Sequence, residues 1–318
     1  MPKISIITTT YKHEKFIKET IESILSQTFT DWELLIWDDS PNYETWNIIQ
    51  EFTNKYPDKI KAWHHNPNKG IVDNMNFLIW NSSNDSEYIA FLEWDDLFTN
   101  ENLEKKLKIF QKYPEVKLIY NNLDFINEDS IIIKKNILSR APYIVKNNLI
   151  WKEDFILKEN FYISYSTLII DKIILNNEKI KRLWENKNYS VSDWDLFFRI
   201  SSKYKIYWLE ESLTLYRKHS NNLSWTLNNI LDDLETQIED YEKNNIIWKE
   251  ITNKKKSYLN LVKAVWYLDN DKIKSFYFLK KWFYQSNFNK PIYSILIFLM
   301  LFLPKKINNK IIKFYRWS

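Results

Sequence analysis

The stretch Tyr88-Ile89-Ala90-Phe91-Leu92-Glu93-Trp94-Asp95-Asp96 passes in one step from five apolar or aromatic residues to a run holding three carboxylates. A short apolar run of this kind predicts a buried strand, and the acids stand where its carboxyl end emerges. Carboxylates crowded so closely repel one another and raise each other's pKa unless a cation sits among them, which points to a divalent metal with oxygen ligands. Asp38-Asp39 closes the apolar stretch Trp32-Glu33-Leu34-Leu35-Ile36-Trp37 in the same way. Two strands of one α/β sheet that both end in acids direct them into one crevice, at the carboxyl-end edge where such sheets bind ligands. Acids after strands also serve as plain turn and N-cap residues, but two such clusters together favour a site.

Outward from these two runs, strands are expected over residues 3–9, 32–37, 60–63, 88–92 and 116–120. Helical spacing separates them: Phe16, Ile17, Ile21, Ile24 and Leu25; then Ile48, Ile49 and Phe52; then Met75, Leu78 and Ile79; then Leu103, Leu107 and Phe110, stopping near Pro114. Strand and helix alternating at this length predict a Rossmann-like α/β fold, with a mostly parallel sheet and helices on both faces over the first 120 residues. A strand starting at residue 3 leaves no room for the apolar core of a signal peptide. Residues 121–216 are less regular, with strand candidates at 130–134, 166–170, 205–208 and 213–216. Among them Ser192 can cap a helix whose apolar side is Leu196, Phe197 and Ile200, and whose first turn carries Asp193, where the helix dipole favours a carboxylate.

Composition narrows the chemistry. The 318 residues are 45% hydrophobic and 17% aromatic, ample for a core. Without cysteine there is no disulfide, zinc-thiolate site or thiol nucleophile, and the usage fits a reducing cytoplasm. Gly70 is the single glycine, whereas the Walker loop and the dinucleotide fingerprint each need at least two; a nucleotide here must be held by side chains and a metal. After Asp271 there is no acidic residue but ten basic ones, so the preceding chain has 35 basic against 41 acidic residues, net −6. An acidic body with a basic tail is not a nucleic-acid binder, whose folded module would carry the positive face. It suits a tail that meets an anionic surface.

Over residues 3–225 the chain resembles the family 2 glycosyltransferases, which have the glycosyltransferase A-type fold. The opening strand and turn match Ile4-Ser5-Ile6-Ile7-Thr8-Thr9-Thr10-Tyr11-Lys12, with Thr9 and Lys12 in place of proline and asparagine. Glu22-Ser23-Ile24-Leu25-Ser26-Gln27-Thr28-Phe29 matches the helix ending in Gln-Thr, and Trp37-Asp38-Asp39-Ser40 the Asp-Asp turn. Asn68-Lys69-Gly70 matches the Asn-Xaa-Gly element and Glu93-Trp94-Asp95-Asp96 the metal motif, with Glu93 replacing an aspartate. Ser192-Asp193-Trp194-Asp195-Leu196 matches the late Glu-Asp-Trp-Asp-Leu motif with Ser192 replacing glutamate, and Tyr216-Arg217-Lys218-His219 with Ser224 matches the ending. Residues 180–186 lack the glycine and Phe-Asp-Glu usual there.

The resemblance implies a metal-dependent, inverting transfer of a hexose or N-acetylhexosamine from a UDP-sugar to a saccharide hydroxyl. Thr9, Tyr11, Asp39, Asn68, Lys69, Gly70 and Asp95 would bind the nucleotide sugar, Tyr11 stacking on uracil and Asp39 accepting its imide N–H. Asp95 and Asp96, with Glu93 and His219 as further candidates, would hold Mg2+ or Mn2+. Asp193 would be the general base, and Trp194 and Arg217 would line the acceptor. A dTDP-sugar offers the same imide and is the alternative donor. A sugar-phosphate nucleotidyltransferase would want a glycine-rich phosphate loop, and a non-catalytic carbohydrate-binding protein would leave the metal motif unexplained. The expected organisation is a catalytic domain over 1–225, with a nucleotide-sugar half (1–120) and an acceptor half (121–225), and a helical region over 226–318. In the latter, Ile230, Leu231, Leu234 and Ile238 predict a helix. The apolar run 292–303 is too short to cross a bilayer, and the basic amphipathic stretch after it predicts peripheral attachment to the cytoplasmic face of a membrane, near a lipid-linked acceptor. The alternative is that the tail packs on the catalytic domain or on a second subunit of a soluble cytoplasmic protein.

Overall fold

Ile4, Ile6 and Ile7 open β1 (Ile4–Thr10), buried along its whole length as a central parallel strand should be. In the computed structural model, which describes residues 3–65, 67–138, 149–150, 164–176, 192–201, 203–220, 222, 227–243, 249–267 and 271–285, β1 lies between two parallel neighbours. On one side is β2 (Trp32–Asp38), in register from Ile4↔Trp32 to Thr10↔Asp38; on the other is β4 (Tyr88–Phe91), in register from Ile4↔Tyr88 to Ile7↔Phe91. Both acid clusters therefore leave the sheet at its carboxyl edge. β3 (Ile60–His64) extends this parallel half beyond β2.

Three helices join these strands: α1 (Ile17–Leu25), α2 (Glu44–Lys55) and α3 (Ile71–Trp80). The second half contains β5 (Leu97–Phe98), α4 (Asn102–Lys112), β6 (Val116–Ile126), β7 (Ile132–Lys134), β8 (Leu149–Ile150), β9 (Leu168–Asp171), α5 (Ser192–Ser201) and β10 (Lys205–Arg217). One sheet holds them in the order β3-β2-β1-β4-β9-β6-β10-β5, with β7 on β6 and β8 on β10. β9 is antiparallel to both its neighbours, and β5 to β10. One face buries Ile4, Ile6, Leu34, Ile36, Ala90 and Ile119 against Ile17, Ile21 and Ile24 of α1, Ile49 of α2 and Leu103, Leu107 and Phe110 of α4. Each such fully buried side chain contributes roughly 1.5–3 kcal/mol. On the other face Phe77 of α3 meets Trp37 edge-on, with ring centroids 4.4 Å apart, and Phe197 of α5 meets Tyr120 at 5.6 Å.

The Gln-Thr element has a structural task. Gln27 is buried where α1 ends; its Nε2 donates to the carbonyl of Thr99 (2.8 Å) and its Oε1 accepts the N–H of Leu103 (3.2 Å), fixing α1 to the start of α4. Several expected boundaries move. β6 runs six residues beyond 120, to Ile126. The candidates at 205–208 and 213–216 are one strand, β10, whose irregular register between Leu209 and Thr214 absorbs the charged residues Glu210 and Glu211 that interrupt the pattern. β9 starts at Leu168, because Tyr165–Thr167 is a 3-10 turn.

The chain divides into two compact units, the first drawn from residues 1–152, 162–187 and 192–225, the second from residues 153–161, 188–191 and 226–318. The second contains α6 (Leu227–Lys243), α7 (Lys249–Tyr267) and α8 (Lys272–Gln285). Within it the nearly buried Lys263 of α7 pairs with Asp232 (2.6 Å) and Glu235 (2.5 Å) of α6. No helix among the described residues is long and apolar enough to cross a membrane. The apolar run 292–303 and the basic stretch after it lie outside the described residues.

Candidate active site

At the carboxyl end of β1 the chain leaves the sheet at Thr10, level with Asp38 of β2. Thr9 is nearly buried, and Tyr11 is 39% exposed with Lys12 Nζ 5.2 Å from its ring centre. Lys12 has φ of 59°, and its N–H donates to Ser40 Oγ (2.7 Å). Asparagine tolerates this left-handed conformation better than other L-residues, which explains the family's preference there and makes Lys12 a strained substitute.

Asp39 is a hub rather than a free acid. Its Oδ1 accepts the indole N–H of Trp37 (2.6 Å), while Oδ2 accepts the N–H groups of Lys69 (2.8 Å) and Gly70 (3.3 Å) and Asn74 Nδ2 (2.6 Å). It thereby clamps the exposed 68–70 turn onto the end of β2. Asn68 Oδ1 accepts Gly70 N–H (2.6 Å), and Lys69 Nζ lies 5.6 Å over the Trp37 ring. Gly70 precedes α3 at φ 87°, yet nothing lies within 4 Å of where its Cβ would be. Backbone conformation, not space, demands glycine. Gly70→Ala is expected to cost about 1–2 kcal/mol, read as a lower midpoint in thermal or urea unfolding; an unchanged midpoint would contradict the left-handed assignment.

The acidic turn after β4 is held from three directions. Ser164 Oγ donates to Glu93 Oε2 (2.9 Å). Ser166 Oγ accepts the N–H of Glu93 (3.0 Å) and donates to Asp96 Oδ2 (2.6 Å). Asp96 Oδ1 accepts the N–H of Arg217 (2.9 Å). From α1, Thr20 Oγ1 donates to the carbonyl of Trp94 (2.8 Å). Burial raises the Glu93 carboxyl above its usual range. Burial also raises Asp95 and Asp96 well above theirs, aided at Asp95 by the charge of Glu93 and at Asp96 by those of Asp95 and Glu93. A cation against this cluster would relieve that repulsion.

Two expected roles change. Asp96 is fully buried with both oxygens hydrogen-bonded inside the protein, so it anchors the turn and does not reach a metal. Arg217, expected at the acceptor, is also fully buried. Its Nε donates to the carbonyl of Asp95 (2.8 Å), Nη1 to the carbonyl of Glu128 (3.0 Å) and to Ser130 Oγ (3.0 Å), and Nη2 to Glu19 Oε2 (2.8 Å). A guanidinium so engaged positions Asp95 and cannot contact a sugar.

Asp95 is nearly buried, and its Oδ2 lies 2.8 Å from Nε2 of His219 and 3.3 Å from Asn222 Nδ2. Burial lowers the His219 pKa, favouring the neutral imidazole that can ligate a metal. Around this pair the His13 ring stacks on Trp94 with the planes 3° from parallel, and Phe16 lies 5.3 Å from the His219 ring. Burial, reinforced by the neighbouring His219, pushes the His13 pKa down to about 2, so that ring stays neutral. Among the described residues no three carboxylate or imidazole side chains converge as a closed cage. The donor set nevertheless fits an ion of the magnesium class, which takes one or two protein ligands and completes its shell with phosphate oxygens and water. Asp95 and His219 are the residues that would hold it.

Asp193 sits half-buried in the first turn of α5. Asp195 turns away, its Oδ2 accepting Nε (3.0 Å) and Nη2 (2.6 Å) of the buried Arg199. Ser192 Oγ accepts the hydroxyl of Tyr165 (2.8 Å). The turn 164–166 thus ties the acids after β4 to the start of α5. The Trp194 side chain, Ser224 and the segment 180–186 lie outside the described residues. Ser164, Tyr165, Ser166, His13 and Asn222 were not singled out from sequence; among them only His13 carries a signal, its place two residues after Tyr11.

With acids from two strand ends and a carboxylate-bearing helix start in one unit, the family can be decided. The model of glycosyl transferase family 2 matches residues 5–172, just over half of the chain. The chain belongs to glycosyl transferase family 2. The putative glycosyltransferase EpsE of Bacillus subtilis is 33% identical over 118 residues, which cover 37% of this chain and 42% of EpsE. WfgD of Escherichia coli, a UDP-Glc:alpha-D-GlcNAc-diphosphoundecaprenol beta-1,3-glucosyltransferase, is 32% identical over 131 residues, covering 41% and 49%. The chain spans about half the length of these relatives. Residues 1–349 of Staphylococcus aureus TarS, solved with UDP-GlcNAc, superimpose with a TM-score of 0.63 at 14% identity, covering 89% of this chain and 81% of that one. This likeness places the family 2 domain on the glycosyltransferase A-type fold.

Proposed function

We propose that this family 2 protein is a metal-dependent, inverting glycosyltransferase that moves a hexose or N-acetylhexosamine from a UDP-sugar to a hydroxyl of a lipid-linked saccharide, in the assembly of a bacterial surface glycan. The observation that supports the reading is the set of hydrogen bonds from Ser164, Tyr165 and Ser166, which ties the acidic turn after β4 to the start of the helix that bears Asp193. WfgD is named for a diphosphoundecaprenol-linked acceptor and TarS was solved with UDP-GlcNAc, which supports this donor and acceptor class.

Tyr11 and the Asp39 clamp would receive the uracil, with Asn68, Lys69 and Gly70 closing beside it. Asp95 and His219 would hold Mg2+ or Mn2+, which when bound neutralises charge on the departing nucleoside diphosphate. Asp193 takes the proton of the acceptor hydroxyl as that oxygen bonds to the anomeric carbon; the bond from that carbon to the diphosphate breaks on the opposite face, and UDP departs. One displacement inverts the configuration. Trp194 belongs to the acceptor side in this reading.

Release of UDP from a panel of UDP- and dTDP-sugars tests the activity. The donor base is tested by competition. To accept the imide N–H, Asp39 has to release one of the four donors it holds here; in that role it disfavours cytosine, whose N3 is not a donor, so UDP is expected to inhibit far better than CDP or ADP. Equal inhibition by all three would remove Asp39 from base recognition. Attachment to the cytoplasmic face of a membrane through residues 286–318 completes the proposal, and truncation after Tyr284 should weaken, without abolishing, the binding of the protein to anionic liposomes.

A further inference from the structure

Three large side chains of α8 stand in solvent: Ile273 is 84% exposed, Phe276 49% and Tyr277 52%. Spacings of three and four residues put them on one stripe of the helix. Ser275, Leu279 and Trp282, all buried, form a second stripe on the opposite side. Contacts inside the second unit account for that buried side. Ser275 Oγ donates to the carbonyl of Ala264 in α7 (2.7 Å), and Phe278 stacks on Tyr267 with centroids 5.6 Å apart. The outward stripe meets only its own helix among the described contacts, where Tyr277 touches Phe278 edge-on and lies under Lys281 Nζ.

The charge on α8 selects what covers this stripe. Lys272, Lys274, Lys280 and Lys281 are all exposed, and the helix contains no acid. Protein–protein interface cores are rich in aromatic residues but depleted in lysine, so four lysines around an apolar stripe fit a protein partner poorly. Lysine stems can instead lie along an apolar surface while the ammonium groups rise to a layer of phosphates.

We propose that the outward face of α8 docks the protein on an anionic lipid surface, with Ile273, Phe276 and Tyr277 entering the interface and Lys280 and Lys281 meeting lipid phosphates. A helix of 14 residues is too short to cross and lies in the plane of the surface. The face belongs to described residues and is distinct from the tail beyond 285. It deepens the lipid-linked reading of the acceptor but stands on the surface of α8 alone.

The test takes the full chain with vesicles of phosphatidylcholine, alone or mixed with phosphatidylglycerol. It compares the wild type with Ile273→Ser/Phe276→Ser and with Lys280→Glu/Lys281→Glu. Wild type should sediment with the anionic vesicles and not the neutral ones, and each double variant should lose about tenfold or more in partition. Because the chain has no cysteine, a polarity-sensitive fluorophore on Ile273→Cys gives a second readout: its emission should shift to the blue on anionic vesicles and be quenched from the lipid chains. Wild-type partition by both double variants, or a label that stays in water while the protein sediments, overturns the proposal. Loss of self-association in the variants with vesicle binding unchanged also overturns it and assigns the stripe to a second copy. UDP release with a soluble acceptor should be the same in all variants. A protein that binds vesicles yet releases no UDP would refute the functional reading and leave the docking face standing.

Discussion

Asp193→Asn is expected to lower kcat by a factor on the order of 10²–10⁴, the usual contribution of a general base, while the affinity for UDP stays close to that of the wild type. In barrier terms this is about 3–5 kcal/mol. The asparagine keeps the size and place of the side chain in the first turn of α5 but cannot take the acceptor proton. Asp195 supplies the internal control. Its carboxylate is tied to Arg199 in a buried i,i+4 pair, so Asp195→Asn leaves a buried guanidinium without its anion and should act on stability, a loss of about 3–5 kcal/mol for a buried pair. Activity per folded molecule should stay near normal. Rate measurements with UDP binding and an unfolding midpoint on both variants separate the two roles. A dead Asp195→Asn beside a near-normal Asp193→Asn would reverse them.

The parallel half of the fold was legible because strands buried on both faces read as unbroken apolar runs, and a run that stops at acids marks the carboxyl edge. The same logic located Asp38-Asp39 and Glu93 to Asp96. What it could not do was tell the acids apart. Successive residues leaving a strand do not face one way, so Asp95 reaches the His219 side while Asp96 turns into the protein against Ser166 and the backbone of Arg217. Serines and a tyrosine at 164–166 look like any turn, and their partners are some 70 residues away at Glu93 and Asp96 and 27 away at Ser192. Arg217 was misplaced for a related reason. Arginine ordinarily stays at the surface unless paired, and the acceptors that let it be buried come from α1, the Asp95 backbone and the 127–130 turn, which no local pattern brings together. Nor does spacing announce β5, two residues long and paired, among the described strands, with β10 alone.

That separation of the two aspartates sets the second large effect. Turnover is expected to disappear in excess chelator and to return with Mg2+ or Mn2+, and Asp95→Asn should lose about two orders of magnitude or more in kcat/KM even at saturating metal. Asp95 is the acid whose carboxylate meets an imidazole that burial shifts towards the neutral form, and a carboxylate oxygen is the ligand such an ion takes. Asp96→Asn should behave differently. An amide can still accept the N–H of Arg217 and donate to Ser166 Oγ, but the Ser166 hydroxyl then loses its acceptor, so the cost is an unsatisfied buried donor, about 1–3 kcal/mol of stability. Activity of the folded Asp96→Asn protein should then exceed that of Asp95→Asn, with an unfolding midpoint below that of either Asp95→Asn or the wild type. The opposite pattern, an inactive but fully stable Asp96→Asn beside an active Asp95→Asn, would mean that the acidic turn rearranges when metal binds and presents Asp96 to it. Full activity in excess chelator would instead remove the ion from the reaction altogether and leave charge neutralisation to side chains such as Lys218, whose charge acts on Asp95.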